Sequence, residues 1–410
     1  MSLESRCAKL SVMRGFRRDR IVLVLAAVLV ATTACATVVD GTAQPDPSAA
    51  ARLDTGGYPT APRAVPARTD PNDQRVQAGY ELSGALVSPA ELDAAFTFSA
   101  PASTPVLPSP ESLGLVFGIP LVAALSQTNT YVGGAVSARQ TTLVERETAD
   151  TARMMTAVIR YRSADRAAAA TQAVSTETSS PASLPARPAA VPGAALPRRS
   201  LTRVWWMPFQ DYLLMIGVGN VPDSRADALA ATWFDRQTAA LRAITATPEQ
   251  LLSLPPDRDG IMSLTLPNVI RTSDGAQLAL GYLTPRAWAN AAADDWMATW
   301  ALLERAGVDL VGTAESAVTR TRGAASARYL ADAYWSGEAS GTLGTEEPKV
   351  AGVPDGRCLS FITRSNGEPR KAFSCSFASG RYYVRTGAVS TLAQAHQQAA
   401  ASYLMVKNAK

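Results

Sequence analysis

The sequence predicts an α+β fold: two antiparallel-sheet lobes with packed helices, related as a diverged internal duplication. Three observations predict it. An order of strand, helix, strand, strand, helix runs from Met154 to Ile244, and a similar order returns between Ala317 and Leu404. Ala157-Val158-Ile159-Arg160-Tyr161-Arg162-Ser163-Ala164 resembles Ala317-Val318-Thr319-Arg320-Thr321-Arg322-Gly323-Ala324 at an offset of 160. Asn366-Gly367, Asp274-Gly275 and Ser379-Gly380 sit between short apolar runs, where tight hairpin turns need positive φ. The expected organisation is a signal peptide over 1–34, a tether over 35–75, and two domains over 76–260 and 261–410.

The first segment is the most specific. Arg14, Arg17, Arg18 and Arg20 precede an apolar run from Ile21 to Ala31, and Thr32-Thr33-Ala34-Cys35 closes it. The arginines favour the cytoplasmic side. An apolar helix of that length covers roughly 16 Å of a bilayer core about 30 Å thick, too little for a permanent span. Ala34 is small enough for a peptidase pocket, and Cys35 would take a lipid on sulfur and become the new N-terminus. Thr32 departs from the usual aliphatic residue three before the cysteine. The alternatives are an ordinary cleaved signal ending near Ala31 or Ala34, and a retained anchor. A start at Met13 gives a conventional short head and removes Cys7.

Residues 36–75 are rich in Pro, Asp, Thr, Ala and Gly and read as a tether. The first domain opens near Val76. Leu115–Leu125 is strongly apolar but too short to cross a membrane, so it reads as core. Met154–Tyr161 is a strand and Asp165–Ser175 an alanine-rich helix. Five prolines within 178–199 leave little room for regular structure. Strands follow at Leu201–Met207 and Tyr212–Val218, turning through Phe209-Gln210-Asp211. Ser224 then caps a helix reaching Ile244, with Ala226, Leu229, Trp233, Phe234, Gln237 and Leu241 on one face. Each lobe is expected to carry its helices on one face of its sheet.

Leu264–Arg271 and Ala276–Leu283 can pair through Asp274-Gly275. Thr284 and Pro285 start one helix that carries Trp288, Ala292, Trp296, Trp300 and Leu303 at spacings of three or four. Those tryptophans are either core or a ligand face against the other lobe. A helix near Ala325–Trp335, strands at Cys358–Thr363, Lys371–Phe377 and Arg381–Arg385, and a last helix from Leu392 to Leu404 complete the chain.

The cysteines fix a register. If Asn366-Gly367 forms a two-residue turn, the numbers of facing residues sum to 733, and Cys358 and Cys375 meet that sum. Counting back from the turn puts them at a non-hydrogen-bonded pair, where side chains come closest. Pro369 then breaks no ladder bond. The expectation is a Cys358–Cys375 disulfide. Two free thiols or a metal pair are the alternatives, and metal is disfavoured because no nearby His or third Cys completes a site.

Composition narrows function. Residues 1–34 hold six Lys or Arg and two Asp or Glu; the remaining 376 residues carry 33 of each sign. A neutral body without a basic stripe gives no reason to bind nucleic acid. His396 is the only histidine, so any serine–histidine triad must use it, yet its spacing from Leu392, Ala399 and Ala400 fits core-edge packing. There is no Gly-x-Ser-x-Gly elbow and no phosphate-binding glycine loop. Asp257, Asp259 and Gly260 read as a turn, not a calcium loop. Asp294 and Asp295 point in different directions. Arg160, Arg162, Arg320 and Arg322 could grip an anion, but a solvated sheet face or salt bridges are more ordinary. No cofactor and no metal are expected.

Several phrases together carry a resemblance: Cys35, Leu53-Asp54-Thr55-Gly56-Gly57-Tyr58-Pro59-Thr60, Leu283-Thr284-Pro285-Arg286-Ala287, Ala306-Gly307-Val308-Asp309, and the Cys358/Cys375 section with its Ala/Gln/Tyr-rich helix. The chain resembles envelope lipoproteins of mycobacteria, nocardiae and relatives that pair a domain of uncharacterised function with a C-terminal lipoprotein domain. The resemblance covers nearly all the exported chain and supplies no catalytic residues. The expected function is a non-catalytic envelope lipoprotein, held to the membrane by its lipid, that binds or presents an envelope lipid or protein partner. A carrier or sensor for a small apolar ligand at Trp288, Trp296 and Trp300 is the second reading. A hydrolase with an unrecognised site is the third.

Overall fold

A computed structural model describes residues 53–100, 105–118, 125, 130–143, 151–176, 184–196, 200–267, 280–292, 294–339, 344–365 and 368–409. The signal segment with Cys35, the Asp274-Gly275 turn and the Asn366-Gly367 turn lie outside them.

The described residues contain two seven-stranded antiparallel sheets. The first holds β1 (Phe98–Ser99), β2 (Val106–Leu107), β3 (Tyr131–Gln140), β4 (Arg153–Tyr161), β5 (Val191–Gly193), β6 (Arg203–Phe209) and β7 (Tyr212–Gly219). Its order is β1-β3-β4-β7-β6-β5, with β2 also on β3. The second holds β8 (Gly281–Leu283), β9 (Leu310–Thr313), β10 (Ser316–Arg320), β11 (Thr345–Glu347), β12 (Arg357–Ser365), β13 (Glu368–Ser379) and β14 (Tyr382–Thr386), in the order β11-β12-β13-β14-β10-β9-β8.

The two orders superimpose: β3-β4-β7-β6-β5 repeats as β9-β10-β14-β13-β12. Register agrees as well. Arg160 faces Tyr212 and Arg320 faces Tyr382. The hairpins that follow turn through Gln210-Asp211 and Gly380-Arg381, with φ of 53° and 54° at the first turn residue. Tyr161 N–H donates to the Asp211 carbonyl at 2.8 Å, and Thr321 N–H to that of Arg381 at 2.9 Å. The short similarity at offset 160 therefore marks the same turn of the same fold twice.

The helices are α1 (Pro71–Ala85), α2 (Pro89–Leu92), α3 (Pro110–Phe117), α4 (Ala164–Thr176), α5 (Asp223–Leu241), α6 (Pro248–Leu252), α7 (Pro285–Ala292), α8 (Trp296–Ala306), α9 (Ala324–Ala339) and α10 (Leu392–Lys407). They cover both faces of each sheet, not one. Val158, Trp205, Leu214 and Ile216 pack with Leu82 of α1 and Trp233 and Phe234 of α5. Ala157, Ile159, Trp206 and Met215 pack with Phe117 of α3 and Ala170 and Val174 of α4. In the second sheet Val318, Phe377 and Val384 meet α10, while Val311 and Tyr383 meet α8 and α9. The reason was present in the strands: Met154–Tyr161 and Tyr212–Gly219 are buried throughout, and strands covered on both faces lose polar alternation.

Four further readings are corrected. α5 begins at Asp223 with Pro222 in the cap position, so Ser224 is already helical and makes no cap. Pro192 lies in β5, a short edge strand opposite β6, where a missing N–H is tolerated. Leu264 sits in a 3-10 turn, so no strand begins there, and β8 pairs with β9; the rest of the expected 264–283 hairpin lies outside the described residues. The expected tryptophan helix is two helices. Asp295 accepts the Ala298 N–H at 3.0 Å and starts α8, while Trp296 N–H donates to Thr97 across the break.

Candidate functional site

The lobes meet through buried polar contacts. Asp70 caps α1 by accepting the Asn72 N–H, with Pro71 at the first helical position. This helix presents Gln77, whose amide both donates to the Tyr282 carbonyl (2.9 Å) and accepts the Tyr282 N–H (3.2 Å). A side chain thus completes the β8 edge as another strand would. Asn290 of α7 donates to the Ser83 and Leu86 carbonyls at the end of α1, at 2.9 and 3.1 Å. Arg139 of β3 donates in turn to the Ala289 and Asn290 carbonyls at the end of α7, at 2.9 and 3.1 Å. Each helix's last carbonyls find a partner across the junction, and a guanidinium there also suits the helix dipole. Burial pushes Arg139 down to about 10, so it remains charged at neutral pH. Burial likewise raises the Glu81 carboxyl, against the pull of Arg258 at 2.8 Å.

The three tryptophans do not share one exposed face. Trp296 is 2% exposed, and its indole N–H donates to Asn290 Oδ1 at 2.9 Å. It stacks on Trp300 with ring centres 5.5 Å apart. Trp288 and Trp300 are half-buried against the same cluster. Arg286 lies over Trp300 and pairs with Glu91. The junction is a packed contact at Trp296.

The C-terminal hairpin has the expected register in full, from Arg357↔Ser376 to Ser365↔Glu368. Cys358 and Cys375 are bridged, with Cα atoms 4.0 Å apart. Cys375 N–H donates to Thr386 Oγ1 on the β14 side, so it does not face β12. That confirms a non-hydrogen-bonded pair. Along the chain no histidine lies near either cysteine, which disfavours a metal pair. The structure corrects this: a ring nitrogen of His396 and both sulfurs lie within 4.8 Å of one another. His396 reaches the bridge because α10 folds back over β13 and β14, with Ala395 and Ala399 in the same core as the cysteines. No spacing rule spans that return. His396 Nε2 is 2.9 Å from the Pro348 carbonyl, not from a serine, threonine or carboxylate.

The four arginines are engaged by the protein itself. Arg160 pairs with Asp211 at 2.9 Å, donates to the Ala246 carbonyl at 2.8 Å and lies over Tyr212. Arg162 pairs with Glu249 at 3.2 Å. Arg320 pairs with Asp309 at 2.8 Å and Asp259 at 3.1 Å, and the Asp309 hydrogen bond leads in raising its pKa. Arg322 donates to the Arg305 carbonyl at 2.8 Å. Asp257 accepts from Met262 and Ser263 N–H, a turn-capping role. The Asp294 carbonyl accepts from Ser99, while the Asp295 carboxylate caps α8.

The phrase Leu53–Thr60 lay in the expected tether, but it is docked on the second lobe. Gly56 has φ of 52°, and a Cβ there would lie 2.8 Å from Gln397 Oε1. Gln397 donates to Asp54 Oδ2 at 3.0 Å; this bond, then the Gly56 N–H, holds the Asp54 carboxyl below its usual range. Gln394 and Gln398 donate to the Tyr58 hydroxyl at 3.1 and 3.2 Å. The Gln-rich start of α10 is thus a receptor for the lead-in. A sequence scan sees both halves but not their pairing.

The described helices include none long and apolar enough to cross a membrane. The N-terminal model of a family described as a domain of unknown function, DUF7373, matches residues 65–256, and its C-terminal model matches residues 268–409. No curated protein and no solved structure matches the chain.

Proposed function

The chain belongs to the DUF7373 family, whose N-terminal and C-terminal domains it carries in order, and we propose that it is a non-catalytic lipoprotein of an actinobacterial cell envelope. Its lipid on Cys35 holds it at the outer face of the cytoplasmic membrane. There it presents its two lobes to an envelope lipid or protein partner. The observation that carries this reading is the basic head, short apolar run and Ala34-Cys35 junction. The Cys358–Cys375 bridge supports it, because such bonds persist outside the cytoplasm. The docked lead-in supports it further. Leu53 packs against the second lobe's core, and the eighteen residues from Cys35 to Leu53 span at most about 65 Å. The body then stays close to the bilayer on which its partner is sought.

Replacing Cys35 with Ala is expected to release the protein from membranes or leave an uncleaved precursor. Intact-mass measurement of wild-type protein from its own envelope is expected to show acyl mass on a chain beginning at Cys35. A mature chain beginning elsewhere without acyl mass overturns the proposal. Lipid analysis of the same sample reports any retained ligand.

A further inference from the structure

We propose that Cys358, Cys375 and His396 form a redox-gated site for a soft metal ion, Zn²⁺ in the first instance, once the disulfide is opened. The three ligands come from β12, β13 and α10, and their ligand atoms lie within 4.8 Å of one another. Thiolate and imidazole together suit Zn²⁺, which sits about 2.3 Å from sulfur and about 2.0 Å from nitrogen. The two sulfurs need only rotate apart within a strand pair whose other rungs remain in place.

The surroundings fit a closed site. Cys358 and Cys375 are buried with Val350, Val353, Val389, Ala395 and Ala399, so water is largely excluded. His396 is half-buried at the margin and gives an approach from solvent. Its Nε2 meets the Pro348 carbonyl at 2.9 Å. When that nitrogen donates, the ring orientation is fixed and Nδ1 keeps its lone pair, the usual outer support of a metal-bound histidine. Three protein ligands leave a fourth position, which only the His396 margin opens to solvent.

The chemistry balances with a dithiol reductant. The bridge accepts two electrons and two protons and becomes two thiols, while the donor dithiol becomes a disulfide. Zn²⁺ then displaces one proton from each thiol and binds neutral His396. In the bridged state the sulfurs hold the hairpin and no thiolate is available. This inference does not depend on the lipid anchor.

The test uses the processed body, reduced with dithiothreitol, desalted without oxygen and titrated with Co²⁺ and then Zn²⁺. One Co²⁺ per chain is expected, with thiolate-to-cobalt charge transfer that Zn²⁺ abolishes. The oxidised protein should show neither. His396→Ala should keep the disulfide and the fold when oxidised, yet bind Zn²⁺ at least about tenfold more weakly when reduced. Absence of thiolate charge transfer in the reduced wild type overturns the site. So does equal affinity in His396→Ala. Loss of the circular dichroism spectrum on reduction also counts against it, because the site requires the hairpin to survive opening.

Discussion

The two lobes use one strand order but hold the same place in two ways. The hairpins correspond at an offset of 170, so Trp205 of β6 and Cys375 of β13 occupy equivalent positions. Trp205 lies opposite Pro192, and Cys375 lies opposite Cys358. Both face a core beneath a long helix, Trp205 under α5 and Cys375 under α10. The first lobe fills that place with a fully buried indole; the second spans it with a covalent bond. β6 is enclosed by helices, whereas β12 and β13 run outward until Glu368, Pro369, Arg370 and Lys371 are exposed. Both positions are fully buried; the ring acts through the area it removes from water, while the crosslink acts by restricting the unfolded chain.

The largest expected effect breaks the first solution. Trp205→Ala should cost about 3–5 kcal/mol, measured by urea unfolding, because the enclosed site cannot collapse around the void. Replacing both cysteines with Ala should cost about 3 kcal/mol, since the bridge closes a loop of 17 residues. If the pair costs nothing, strain in the bridged state offsets the entropic gain and the comparison fails.

A finer difference lies at the matched arginines. The Arg160 side chain is 6% exposed, and its neighbours Asp211 and Ala246 belong to one sheltered corner. In the second lobe the turn position of Asp211 is Arg381, so Arg320 depends on Asp309 and Asp259, which are largely exposed. Arg160→Ala should therefore cost about 2–3 kcal/mol, and Arg320→Ala about 1 kcal/mol or less. Raised salt should shrink only the second loss, which thermal melts at low and high ionic strength would separate. The smallest effect has the opposite sign. Gln210 holds a left-handed conformation where its counterpart is Gly380, so Gln210→Gly should stabilise by about 0.5 kcal/mol.

Much of this was readable in sequence where neighbours along the chain decide structure. The Cys358/Cys375 register followed from a two-residue turn and period-2 pairing. The strands at Met154 and Tyr212 and the last helix were equally local. What escaped depends on returns of the chain. Asp295 looked like half of an acidic pair on a long helix, although it caps a new one where the backbone leaves to meet Thr97. Arg139 gave no sign that it would bind the end of a helix 150 residues later. The tryptophan spacing suggested a face, yet Asn290 and the junction draw Trp296 inside. His396 was placed on a core edge, but the disulfide beneath it required the fold of α10 over two strands. Two-sided helix coverage is legible in the unbroken apolar strands, which helices on one face alone do not require.

Hydrogen exchange followed by mass spectrometry, on oxidised and reduced protein, tests most directly whether the bridge does in the second lobe what Trp205 does in the first. Reduction should lower protection over residues 357–379 well before it touches residues 203–219. Equal loss in both hairpins, or no loss in either, would contradict the account.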